Sequence, residues 1–431
     1  MNRKIITTLF LLLVNIATIA CSQAEESTKQ IKNSQTATKV ILGIDKLIQS
    51  NFAEIKGKNV GLFTNFSGRT NGGLLTAEIL ANSKAINLQC IFSPEHGFYG
   101  GSHAGECVNN SEVFGVRMIS LYGATRRPKL EDVQKLDVVL IDIQDIGIRS
   151  YTFLSSVNYM LTACAEAGVP AIVLDRPNPI GGNTVDGSVT EKGAESFVSL
   201  LPVSYIHGLT LGEISIMMNE EGWLKNDNGE IQKCDLTVIK MDGWERNMRW
   251  EDCNLFWFPT SPQIPSPEAV YGAATLGIFG ELSLFNIGIG TSLPFRYLGF
   301  PEMNELTVFE EINKFKNDDE LLIQIAHFKP FYGKFSQQNC RGFIFLYPKT
   351  NSYKPYTTGV QTILAIRKVH PEMFDKSKII ENRKNMFEKV TGGSKLFDAI
   401  FDMKDDDEVI TVAQKGLKEF IELRKKYLIY R

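Results

Sequence analysis

The chain has 431 residues, of which 43 % are hydrophobic and 22 % charged, and its formal net charge is −3. That composition describes a globular protein with room for two domains. The near-neutral charge excludes the basic footprint that nucleic-acid binding needs.

The N-terminus is compositionally separate. Arg3 and Lys4 precede an apolar run from Ile5 to Ala20 that ends at Cys21. A charged start and a short apolar stretch make a signal peptide over residues 1–20, too short for a comfortable membrane span. Thr18-Ile19-Ala20-Cys21 looks like a bacterial lipobox, which implies cleavage before Cys21 and lipid on its thiol. Residues 22–38 are polar and lack aromatics, so they read as a flexible tether. Six further cysteines, at 90, 107, 164, 234, 253 and 340, lie in an oxidising compartment. A chain this long does not need disulfides, and Cys90 and Cys164 sit in strand and helix patterns that suit buried thiols. No CxxC or close His/Cys pair suggests structural zinc.

From Asn59 the chain alternates apolar runs with helical periodicity. Strands are expected at Asn59–Thr64, Leu88–Ser93, Gly115–Tyr122, Leu136–Ile141, Val169–Leu174 and Leu236–Lys240. Helices are expected at Gly73–Ser83 and Ser150–Ala167, the second capped by Gly168. Thr210 and Glu213 have capping-box spacing, so a helix starts there and runs to about Glu221. The pattern predicts an α/β fold, a Rossmann-like, mostly parallel sheet over residues 39–266. The Pro-rich stretch Ser261–Pro267 marks the boundary to a smaller α+β C-terminal domain, 267–431. Less is legible there. A Gly-rich segment (Gly272–Gly290) precedes helical patterns at Val308–Phe315 and Thr358–Lys368, a strand at Gly342–Tyr347 and a charged helix from Val409. The acidic run Asp402–Glu408 reads as a solvated turn.

Chemistry-bearing residues collect where these strands end. The stretch Ile91–Gly105 runs from an apolar strand into Pro94, Glu95 and His96, with glycines at 97, 100, 101 and 105. Asn65, Glu95, the set Asp142/Gln144/Asp145 and the pair Asp175/Arg176 all follow the carboxyl ends of their strands. In open α/β sheets that edge binds ligands, near the topological switch point. His207 precedes the capping box and is a candidate to face the same crevice. The aromatic-rich stretch 242–258 suits sugar rings or an ordinary core.

No GxGxxG, GxxxxGK[ST] or GxSxG is present at the required places, so phosphate cradles and serine elbows have little support. Carboxylates with imidazoles and arginines suit general acid/base work on a polyhydroxylated ligand, as in glycoside hydrolysis. An acid must keep its proton near neutral pH, and Glu95, beside Pro94 and Phe98, is the best candidate.

Five ordered motifs then carry a resemblance: SPEHGF (Ser93–Phe98), SLYG-x-TRRP (Ser120–Pro128), DIQDIGIRSYT (Asp142–Thr152), LDRPNPIGG (Leu174–Gly182) and HGLTLGE (His207–Glu213). With them the chain, from about Val40 onward, closely resembles the NamZ family of exo-acting β-N-acetylmuramidases. The resemblance implies a Rossmann-like domain meeting a smaller C-terminal domain across a catalytic cleft, with the EHG glutamate falling on Glu95. It implies removal of terminal N-acetylmuramic acid from the non-reducing ends of peptidoglycan fragments, by an enzyme without metal or organic cofactor. Two departures bear on recognition: His103 stands where many relatives have Asp, and Ile287-Gly288-Ile289-Gly290-Thr291 replaces a Glu-Gly-Arg-Gly-Thr segment.

On that reading Glu95 is the general acid and Asp142 the second carboxylate, with Asp145 as alternative and His96 orienting Glu95. Arg126, Arg149 and Arg176 are candidates for the lactyl carboxylate, because a guanidinium fork matches a carboxylate bidentately. Asn65, Gln144, Tyr151, Asn178 and His207 would hold hydroxyls and the acetamido group, and Asp175 lines the same edge. Two rival readings use the same residues. One is a non-catalytic glycan-binding envelope lipoprotein; the other is a hydrolase holding Mg²⁺ or Ca²⁺ on Asp142, Asp145 and Asp175.

Overall fold

In a computed structural model, residues 39–431 are described except 103–104, 107–108, 124, 317–320 and 348–351. The expected signal segment, Cys21, the tether and His103 lie outside the described residues. The first half builds β1 (Asn59–Thr64), β2 (Asn87–Ser93), β3 (Ser111–Val113), β4 (Val116–Ser120), β5 (Val138–Asp142) and β6 (Ala171–Leu174). A small ribbon, β7 (Asp186–Val189) with β8 (Ser204–Ile206), precedes β9 (Leu236–Ile239). Seven strands form one sheet in the order β3-β4-β2-β1-β5-β6-β9, parallel throughout except for β3 on its edge.

The apolar runs are continuous because both faces of this sheet are covered. In β5, Val139 and Ile141 pack with the helix Phe153–Ala167, while Val138 and Leu140 pack with the helix Gly43–Gln49 on the other face. All four are fully buried, each side chain contributing roughly 1.5–3 kcal/mol. The crossover helices carry the expected stops and starts. Gly168 ends Phe153–Ala167 at φ 68°, a left-handed position that suits glycine. The Thr210 hydroxyl accepts from Glu213 N (3.2 Å), and the Glu213 carboxylate accepts from Thr210 N (3.0 Å), opening the helix Leu211–Glu220.

The smaller C-terminal part carries a three-stranded antiparallel sheet, β10 (Tyr297–Phe300), β12 (Cys340–Leu346) and β11 (Leu322–Phe328) in that order. Helices Pro267–Gly280 and Pro355–Val369 pack with it. Gly359 allows those two helices to meet, since a Cβ there would lie 2.0 Å from the Thr275 carbonyl oxygen. Two expectations change. The front of the Gly-rich segment is helix, and the acidic run 402–408 starts one: the Asp405 carboxylate accepts from Glu408 N (2.9 Å) and caps Asp406–Ala413. The helix Leu417–Arg424 and the tail cross back to the first body. Phe420 joins its core, and the Tyr430 hydroxyl donates to Asp175 (2.7 Å).

Cys90, Cys164, Cys234, Cys253 and Cys340 are free and buried. Burial pushes the Cys90 thiol up to about 12.

Candidate active site

Strand β1 lies between β2 and β5, so the chain leaves it in one direction for β2 and β4 and returns on its other side for β5, β6 and β9. The β1/β5 junction is therefore the switch point, where the loops after the two strands separate and leave a crevice. The loops carrying Asn65, Glu95 and Gln144-Asp145 open beside it.

Glu95 is buried at the end of β2. One carboxylate oxygen accepts from Gly105 N (3.0 Å) and the other from the Thr152 hydroxyl (2.6 Å). The Tyr122 hydroxyl donates to it as well, and burial together with that bond pushes the phenol well above its ordinary value. The expected apolar setting of Glu95 is thus a ring of donors. Neither Tyr122 nor Thr152 was singled out by sequence, although both lie inside the quoted motifs. His96 takes φ 71°, a left-handed conformation that costs a non-glycine residue about 1–3 kcal/mol and concentrates at functional sites. Its Nδ1–H donates to the Ser102 carbonyl (2.8 Å). The ring is therefore pinned to its own loop.

Across the switch point a second group of buried polar atoms converges. Gln144 N donates to the Ser67 hydroxyl (3.1 Å), which donates to Asn65 Oδ1 (2.6 Å). Gln144 Nε2 donates to the Asp145 and Pro177 carbonyls, both at 2.8 Å. Asp145 Oδ2 accepts from Gly147 N (2.7 Å), and His207 Nε2 stands 3.6 Å from it. His207 Nδ1 accepts from Leu209 N (3.2 Å), so the neutral ring carries its proton on Nε2. Asn65 Nδ2, Gln144 Oε1, Asp145 Oδ1 and His207 Nε2 are all buried without a hydrogen-bond partner in the chain. Buried polar groups are mostly paired, so four along one connected set of residues mark a place suited to an external partner. Burial holds the Tyr151 phenol above its usual range, opposed by the neighbouring hydroxyls of Thr260 and Ser261.

Five expected site residues serve the scaffold instead. Asp142 is fully buried, and the Arg176 fork grips both its oxygens, Nε to Oδ1 at 2.6 Å and Nη2 to Oδ2 at 2.9 Å. The Thr76 hydroxyl donates to Oδ2 as well. Asp142 thus has no oxygen left for a sugar, and Arg176 has no fork left for a lactyl group. Arg149 is buried on four main-chain carbonyls, those of Ser188, Val203, Val390 and Thr391, and ties the α/β body to the end of the helix Glu381–Thr391. Asp175 accepts from Thr210, Gly212 and Tyr430, and burial raises its carboxyl to about 6. Asn178 bridges Leu209 O and Ile180 N. With Asp142 and Asp175 so engaged, the three acids expected to hold a divalent ion do not form a donor set, and the described residues contain no such cluster. Arg126 is exposed, its guanidinium 4.1 Å from the Phe197 ring and 5.7 Å from that of Tyr122.

The variant segment Ile287–Thr291 packs within the C-terminal part. Phe331 N donates to the Gly290 carbonyl (2.7 Å), and Asn286 Oδ1 accepts from Gly288 N (2.7 Å).

Comparison with known proteins gives a consistent set of matches. The family model described as exo-β-N-acetylmuramidase NamZ, N-terminal, matches residues 60–268, and its C-terminal counterpart matches 271–430. The peptidoglycan β-N-acetylmuramidase NamZ of Bacillus subtilis (strain 168) is 32 % identical over 427 residues, covering 98 % of this chain and 99 % of that protein. A crystal structure of a DUF1343 family protein from Bacteroides fragilis NCTC 9343 superposes with TM-score 0.84 at 32 % identity, covering 91 % of this chain and 99 % of that one. A second protein of that family and organism gives 0.71 at 27 % identity over the same shares.

Proposed function

The chain belongs to the NamZ family of exo-β-N-acetylmuramidases, peptidoglycan glycoside hydrolases, and on that premise we propose that it releases terminal N-acetylmuramic acid from the non-reducing ends of peptidoglycan fragments. The observation that carries this reading is Glu95. Its buried carboxyl group is held by Gly105 N, Thr152 and Tyr122 beside the switch point, next to polar atoms that lack partners. The Thr152 and Tyr122 hydroxyls can turn to accept from a protonated Glu95, and in that form Glu95 gives its proton to the leaving glycosidic oxygen. Asp145 takes the place first assigned to Asp142: its free Oδ1 accepts a hydrogen bond from the attacking water as positive charge grows on the anomeric carbon. His207, Asn65 and Tyr151 complete the polar wall around it, with Thr260 and Ser261 beside Tyr151.

A chromogenic N-acetylmuramic acid glycoside tests the reading. Turnover is expected to be unchanged by EDTA and to fall by about 10²-fold or more in Asp145→Asn. Saturable binding without turnover would instead make the protein a glycan binder, and loss of turnover in EDTA would restore a metal.

No helix among the described residues is long and apolar enough to cross a membrane. We further propose that lipid on Cys21 anchors the enzyme at the envelope. In fractionated cells Cys21→Ser should move the protein from the membrane to the soluble fraction. A variant that stays with the membrane would remove the anchor.

A further inference from the structure

We propose that the pocket beside the β1/β5 switch point reads the two ring substituents that define muramic acid, with Arg69 binding the lactyl carboxylate. This rests on the muramidase reading and names the residue that makes it selective. The pocket is lined by Ser67, Arg69, Asn71, Gln144, Trp250 and Phe258, among others, so it shares Ser67 and Gln144 with the site. The pocket is narrow and opens to solvent, so the carboxylate and amide ends of the two substituents reach its polar lining while the sugar ring stays at the mouth. Phe66, beside this pocket, abuts the Glu95 loop, its Cβ 3.9 Å from where a Cβ on Gly100 would stand.

Arg69 is prepared for an anion. Its guanidinium sits in the corner formed by the perpendicular rings of Phe66 and Phe258, 4.0 and 4.3 Å from their centroids. Nε donates to Phe66 O (2.9 Å) and Nη1 to Gly73 O (2.6 Å), which fixes the plane of the fork. No carboxylate among the described residues lies within ion-pair distance of it. Its remaining donors are therefore available, at a site where the ordering entropy has already been lost and water is partly excluded. The other lining arginine, Arg176, is neutralised by Asp142. Arg126, by contrast, extends into solvent over Phe197.

Gln144 supplies the second contact. Its side chain is 97 % buried, since it is only 3 % exposed, and the two carbonyls on Nε2 orient Oε1 as an acceptor that nothing in the chain fills. The acetamido and lactyl groups occupy adjacent ring carbons, so an amide N–H can meet Gln144 while the carboxylate meets Arg69.

The test is titration calorimetry on protein carrying Glu95→Gln, with N-acetylmuramic acid and N-acetylglucosamine as the probes. Adding Arg69→Gln should weaken N-acetylmuramic acid about tenfold or more and leave N-acetylglucosamine within about twofold. Arg69→Lys, which keeps the charge and loses the fork, should fall between. Arg126→Gln should leave the ratio of the two affinities unchanged. An unchanged ratio in Arg69→Gln, equal losses on both sugars, or no preference for N-acetylmuramic acid before Arg69 is altered would each overturn the proposal. Selective binding that depends on Arg69, in a protein that hydrolyses no muramic acid glycoside, would overturn the enzymatic reading and leave this one standing.

Discussion

Glu95→Gln should lower kcat on an unactivated muramic acid disaccharide by about 10²–10⁴-fold, with the fold and product affinity retained. The amide is isosteric with the carboxyl group and cannot deliver a proton to the glycosidic oxygen. Its surroundings explain why the variant should still fold. Gly105 N needs an acceptor, which the amide oxygen provides, while the Thr152 hydroxyl can rotate to accept from the amide NH₂. A good aryl leaving group needs less protonation and should recover part of the rate. Retention of more than a tenth of wild-type kcat on the disaccharide, measured by product release, would remove Glu95 from the role of acid.

The second large effect is on stability. Asp142→Ala should destabilise the protein by about 3–5 kcal/mol, because it leaves the Arg176 guanidinium buried without its counter-charge. Chemical denaturation should show the midpoint falling, and Asp142→Leu combined with Arg176→Met should recover most of the loss, since a buried pair can be replaced by apolar side chains of similar volume. The alternative, Asp142 as a nucleophile, requires the opposite pattern: abolished turnover with an unchanged midpoint. The two outcomes separate a scaffold acid from a reacting one at the position where the sequence pointed to chemistry.

That position shows what a linear reading can and cannot see. The capping box of Thr210 and Glu213 and the Gly168 stop were legible because both partners lie within a few residues, and local chemistry decides them. The buried strands were legible because a sheet covered on both faces demands unbroken apolar runs, and the strand end that carries Glu95 because Pro94 and the glycines stop such a run. Asp142, Asp175, Arg149 and Arg176 carried the same outward signal, an ionisable side chain after a strand. Their partners decide their roles, and these lie far off in sequence: Arg149 caps carbonyls at 390 and 391, and Asp175 meets Tyr430. Tyr122, Thr152 and Arg69 escaped notice for the converse reason. Hydroxyls and arginines are common in loops, and only the folded chain brings two of these onto Glu95 and sets the third in the corner of two aromatic rings. Boundaries drifted where tertiary contacts override propensity, as in the glycine-containing helix Pro267–Gly280.

The most direct test of the account follows the products of a defined disaccharide. Purified protein is incubated with N-acetylmuramic acid β-linked to N-acetylglucosamine, and separately with the reverse disaccharide, and both mixtures are read by mass spectrometry. Free N-acetylmuramic acid should accumulate from the first, with wild type far exceeding Glu95→Gln, and the second should stay intact. Cleavage of both disaccharides alike, or of neither while the protein still binds N-acetylmuramic acid, would contradict it.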